Sequence, residues 1–145
     1  MNNNLKAFLG QIKENGGASY SLHTGLATSG VFASYRANEF IIGAERSEAD
    51  VEQSLGLFIR INADKLSELE NYIGGWINDG KLYFDVSRRF DNIEEAAYFG
   101  ILNGQLAIYS FKHGEISLPS GQIGTGKQAD TYARIKAQEI AAMYR

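Results

Sequence analysis

The chain has 145 residues and a mass of 16.0 kDa, enough for one domain over residues 1–145 with its own core. Its 44% hydrophobic and 12% aromatic content marks an ordered globular protein, and the absence of cysteine excludes disulfides, thiolate nucleophiles and Cys-based zinc sites. A net charge of −3, from 17 acidic and 14 basic residues, is not the basic surface of a duplex binder, so a nucleic-acid polymer is not an expected partner.

The opening MNNNLKAFLG has neither the basic start nor the apolar run of a secretory leader. Asn2 to Asn4 are suited to cap a helix that runs to about Glu14, with Leu5, Phe8, Leu9 and Ile12 on one stripe and Gly16-Gly17 stopping it. Tyr20, Leu22 and Thr24 alternate toward Gly25 as in a strand. Val31 to Arg36 and Phe40 to Ala44 predict two more strands, joined by a polar turn at Ala37-Asn38-Glu39. Ser47 followed by acidic residues opens a helix, which Val51, Leu55, Phe58 and Ile59 continue at helical spacing. Leu57 to Ile61 also has the composition of a strand, and the spacing decides for helix. Leu66 and Leu69 extend a second short amphipathic piece toward Tyr72.

Ile73 to Ile77 and Lys81 to Val86 flank Asn78-Asp79-Gly80, a hairpin turn whose residues tolerate positive φ. Arg88, Arg89 and Phe90 follow that second strand. Asp91 or Asn92 caps the next helix, with Glu94 and Glu95 in its first turn and Ile93, Ala96, Ala97, Ile101 and Leu102 as its buried stripe. Asn103-Gly104 should close it in a left-handed cap. Leu106, Ile108 and Phe111 then face one way along a strand, and His113-Gly114 turns into a short strand ending at Pro119. A glycine-rich loop from Ser120 to Lys127 precedes a last helix, with Asp130 as its cap and Ile135, Ile140 and Met143 on its apolar side. The sum is an α+β fold, with a mainly antiparallel sheet and N-terminal, central and C-terminal helices. No stretch nears the ~20 apolar residues of a membrane span, so no membrane partner is expected.

Three patterns carry chemistry. Gly121 to Gln128 nearly spells a P-loop, but Gln128 stands where Ser or Thr would hold magnesium, and no parallel strands follow. The segment is either a connector or a set of amides which, with Thr125 and Lys127, binds a phosphate without magnesium. Arg88, Arg89 and Phe90 combine guanidinium forks with a stacking ring; alternatively the arginines pair with Asp85, Asp91 or Glu94, and Phe90 staples the helix. Trp76, between Gly74-Gly75 and the hairpin turn, reads as a packed core indole. His23 and His113 lack any accompanying ligand pattern, so no metal and no cofactor is expected.

The segments DGKLYFDVSRRFDN-EEA and NGQLAIYSF, with GGASYSLHTG and SGVFASY earlier in the chain, resemble small bacteriophage proteins across about residues 16 to 127. Within that group the chain is most similar to the Thoeris anti-defence sponge family. That resemblance implies a protein, without enzymatic activity, that sequesters a cyclic nucleotide immune signal, a cyclic ADP-ribose isomer or a cyclic oligonucleotide, in the cytoplasm of an infected bacterium. It also implies a homo-oligomer, a dimer or larger, that holds the nucleotide between subunits with aromatic, Asn and Arg side chains. The counterparts here are Phe90, Asn103 and one of Arg88, Arg89 or Arg134, with Gln105 in the N-x-Q motif beside them. In the glycine-rich loop the family pattern calls for arginine, and this chain has Lys127. A small-molecule hydrolase using Asp85 and His113, and a protein-binding inhibitor of a host enzyme, are the alternative functions.

Overall fold

A computed structural model describes residues 2–36, 39–43, 45–119, 121 and 123–145. The chain divides into two compact units, residues 1–27 with 37–87, and residues 28–36 with 88–145.

In the first unit, α1 (Asn3–Asn15) starts where the Asn2 side chain accepts the Leu5 amide and stops at Gly16, whose φ of +83° is left-handed. Strand β1 (Gly17–Ser21) follows, then β2 (Gly25–Leu26). The predicted alternation through Leu22 and Thr24 is a turn instead. The Ser21 hydroxyl accepts the His23 and Thr24 amides at 3.0 and 3.1 Å and bends the chain there. Strand β4 (Phe40–Gly43) is as expected up to Gly43; Ala37, Asn38 and Ala44 lie outside the described residues. Ser47 caps α2 (Glu48–Ile61) by accepting the Asp50 amide, so residues 57–61 are helical. A four-residue helix, α3 (Ala63–Leu66), ends before Leu69, which is exposed.

Strands β5 (Asn71–Asn78) and β6 (Lys81–Phe90) flank the turn in which Asp79 and Gly80 take φ of +53° and +71°. Within this unit the strand order is β2-β1-β5-β6, with β4 also on β6. Gly17 lies opposite Trp76, and Phe40 opposite Phe84, in antiparallel register. The helices cover the sheet face that carries Ile73, Gly75 and Phe84. A Cβ on Gly75 would stand 2.3 Å from Ile12 Cδ1 and 3.0 Å from Phe8 Cζ, so glycine is what lets α1 seat on β5. Phe8 and Phe58 are fully buried and meet the Phe84 ring at 6.4 and 6.0 Å. Burying each stabilises the unit by about 1.5–3 kcal/mol.

The second unit begins with β3 (Val31–Ser34) and takes up the last three residues of β6. Helix α4 (Ile93–Leu102) is capped by Asn92, the second of the two expected positions. Strands β7 (Ala107–Ser110) and β8 (Gly114–Ser117) pair antiparallel, and β7 pairs antiparallel with β3. The core joins Val31, Ala33, Ala96, Ala97, Ile101, Ile108 and Ile116 to Ala133, Ala137 and Ile140 of α5 (Gly126–Ala142).

Several expectations are corrected here. β6 does not stop before Arg88 but runs through Phe90. Leu106 precedes β7 and is 71% exposed, so it does not share the buried face of Ile108. The Asn103-Gly104 closure of α4, by contrast, is as expected, with Gly104 in the left-handed conformation at φ +68°. Thr125, not Asp130, is the N-cap of α5, although its side chain makes no capping bond. The inward stripe of α5 is alanine (129, 133, 137, 141) with Ile140, while Ile135 and Met143 are exposed. Small side chains let α5 lie close against α4, which a count of large apolar residues misses. Among the described residues, no helix is long and apolar enough to cross a membrane.

Candidate functional site

Alternation along the end of β6 sends Arg88 and Phe90 to one side of the strand and Arg89 to the other. Phe90 is half-buried, and its ring lies 5.2 Å from Phe99 of α4, which meets Tyr35 edge-on at 5.0 Å. The exposed Arg88 guanidinium carbon lies 5.2 Å from the Phe90 centroid and 6.0 Å from that of Phe99. Arg88 has no carboxylate within ion-pairing distance among the described residues. Cation–π contact holds it while leaving its N–H fork available.

The end of α4 supplies the polar border. The Asn103 side chain uses both its ends: Oδ1 accepts the Arg36 amide at 3.1 Å, and Nδ2 donates to the Phe99 carbonyl at 2.9 Å. Its amide is therefore a brace between segments. Arg36 donates from Nε to the Asn103 carbonyl at 3.4 Å and from a terminal nitrogen to the Leu102 carbonyl at 3.3 Å. It thus satisfies the open carbonyls at the negative end of the helix. Gln105 Nε2 donates to the Asn103 and Tyr35 carbonyls at 3.2 and 3.4 Å. Arg88, Phe90, Asn103 and Gln105 are therefore brought together, through three residues that the sequence analysis did not single out: Tyr35, Arg36 and Phe99. Phe99 stands four residues before Asn103 on the helix, which was the available signal.

The other candidates are placed differently. Arg89 donates to the Ser29 carbonyl at 3.2 Å, to the Ser29 hydroxyl at 3.1 Å and to Asp91 at 2.8 Å. That is the surface pairing weighed as its alternative role. Arg134 lies on α5, 3.0 Å from Asp130, with its guanidinium carbon 4.5 Å above the Tyr98 ring. The Tyr98 hydroxyl donates a short hydrogen bond to Asp130. That bond, then the Arg134 bond, holds the Asp130 carboxyl below its ordinary range, and it pushes the Tyr98 phenol up. The Asp130 bond likewise raises the Arg134 guanidinium. Lys127 is exposed in the first turn of α5, after Thr125. Among the described residues, no hydrogen bond or ring contact joins Thr125 or Lys127 to the Arg88–Phe90 cluster. Ser120 and Gln122, in the same loop, lie outside the described residues.

Asp85 is 7% exposed in the first unit, where it accepts from Trp76 Nε1 at 3.3 Å. Trp76 is half-buried and stacks on Tyr83 at 4.1 Å, so it is not the core indole expected. His113 belongs to the second unit and packs on Tyr144 at 5.0 Å, while His23 Nε2 lies 2.9 Å from the Ser67 carbonyl. Glu94 pairs with Arg145 at 3.5 Å. No group of three or more His, Asp or Glu stands ready to hold a metal ion among the described residues.

No family model, no curated protein and no solved structure matches the chain.

Proposed function

We propose that this protein binds a cyclic ADP-ribose isomer or a related cyclic nucleotide and holds it unaltered, as a bacteriophage anti-defence sponge in the bacterial cytoplasm. The observation that carries the reading is the state of Arg88. Of the three arginines considered, Arg89 and Arg134 are spent on carboxylates, while Arg88 is exposed, seated over two rings and, among the described residues, without a carboxylate partner. A nucleotide asks for that combination: a fork for phosphate, an aromatic ring for a base, and amides nearby for hydroxyls. Phe90, Phe99 and Tyr35 supply the rings, and Gln105 supplies the amide. In this reading Asn103 and Arg36 hold the site in shape instead of touching the ligand.

A homo-oligomer, at least a dimer, belongs to the same proposal, because one exposed arginine and a half-buried ring form one wall of a site and a second copy would supply the other. Light scattering that shows only a 16 kDa species at micromolar concentration contradicts that part. The binding itself is tested by incubating the protein with candidate cyclic nucleotides, heat-denaturing it and analysing the released molecules by mass spectrometry. Recovery of the intact ligand is expected. Recovery of a cleaved product favours an enzyme, and capture of a host protein with no small molecule favours a protein-binding inhibitor.

A further inference from the structure

The first unit contains a cavity built wholly from residues that the nucleotide proposal does not use. On α1, Lys6, Leu9, Gly10 and Lys13 share one face at the spacing of neighbouring turns. The start of α2 faces them with Glu48, Val51 and Glu52, and Ile77 and Leu82 close the space from either side of the β5–β6 turn. The cavity has a volume of about 200 Å³ and opens to solvent. Its floor is apolar: Leu9, Ile12, Val51, Ile77 and Leu82. Gly10 lines it without a side chain, and a Cβ there would meet nothing within 4 Å among the described residues, so a larger side chain at this position has room to enter. Glycine in mid-helix costs stability relative to alanine, and here no backbone demand requires it.

The rim is charged and unequal. Lys6, Lys13 and Arg46 stand against Glu48 and Glu52. Glu48 lies 3.7 Å from Lys13 and offsets it. Lys6 and Arg46 have no carboxylate within ion-pairing distance among the described residues. The positive end of the α2 macrodipole lies at the same mouth. An apolar floor with surplus positive charge at the mouth complements a molecule with an alkyl body and an anionic head.

We propose that this cavity binds a small anionic amphiphile, a free alkyl carboxylate, with its chain on Leu9, Val51 and Leu82 and its head between Lys6 and Arg46. The test uses the full chain and three probes of equal chain length: octanoate, octanol and octyltrimethylammonium. Amide NMR titration should show saturable shifts with octanoate, centred on α1 and the first turn of α2. Octanoate should bind about tenfold more tightly than octanol, the worth of one charge-assisted hydrogen bond, and the cationic probe should bind least. Gly10→Leu fills the space and raises helix propensity, so it should abolish the saturable shifts while keeping the α1 amide pattern. Arg46→Gln should bring octanoate down toward octanol. Equal affinity for all three probes, or octanoate binding undiminished in Gly10→Leu, overturns the proposal. Sedimentation with anionic phospholipid vesicles in the absence of octanoate binding also overturns it, in favour of a membrane surface.

Discussion

Removing the Asn103 side chain amide should cost stability before it costs binding. In Asn103→Ala the Arg36 amide loses its acceptor at 3.1 Å, and the Phe99 carbonyl loses its donor at 2.9 Å. Each net hydrogen bond contributes about 0.5–1.5 kcal/mol, so the pair contributes about 1–3 kcal/mol. The residue is half-buried, so part of the loss is recovered by water, and the lower half of that range is expected. Urea unfolding followed by circular dichroism measures the change as a lower midpoint at an unaltered m-value. For a chain of this length, each kcal/mol corresponds to roughly 2–4 °C in Tm. Asn103→Asp should recover only part of the loss, because the carboxylate still accepts from Arg36 but faces the Phe99 carbonyl without a proton to give. A midpoint for Asn103→Ala within 0.5 kcal/mol of wild type, about the limit for substitutions that disturb nothing, refutes the bracing role.

Gly75→Ala should destabilise the protein by about 1–3 kcal/mol in the same unfolding assay, because the new methyl overlaps Ile12 and Phe8 in a filled core; an unchanged midpoint would mean that α1 does not seat there. Carbon-detected NMR should find Asp130 titrating below an ordinary aspartate, and Arg134→Ala should move it back up. Since its folded pKa is lowered, the stabilisation is present above the unfolded aspartate value and fades as pH falls through the folded one. Tyr98, raised in the fold, has the opposite sign: its contribution is present below the unfolded tyrosine value and fades as pH rises through the folded one. Arg88→Gln should weaken cyclic nucleotide binding and leave the unfolding midpoint unchanged, whereas Arg89→Gln should lower the midpoint by releasing Ser29 and Asp91. The reverse pattern in calorimetry and unfolding would exchange their roles.

Local chemistry made the turns and caps legible in the sequence. Asn2, Ser47 and Asn92 cap where their short polar side chains permit, and Asp79-Gly80 takes the positive φ values that suit it. The α+β class followed from those boundaries. Legibility fell where tertiary contact overrides local pattern. The face of α5 is set by alanines that carry little hydrophobic signal, so Ile135 and Met143 drew the eye to its outer side. Arg88 and Phe90 were visible as residue types, but their company was not. Arg36 reaches Asn103 across 67 positions, and no spacing rule within the chain reports such a pairing. The cavity beside Gly10 was hidden for a different reason: a cavity is a property of what neighbouring elements leave unfilled.

Calorimetric titration of a cyclic ADP-ribose isomer into wild-type protein and Phe90→Ala tests the central claim most directly. Wild type should bind saturably in EDTA, and loss of the Phe90 ring should weaken binding by about 1–3 kcal/mol, the worth of one base–aromatic stack. Identical affinity in both proteins, or heat that appears only with magnesium and accompanies turnover, would contradict the account.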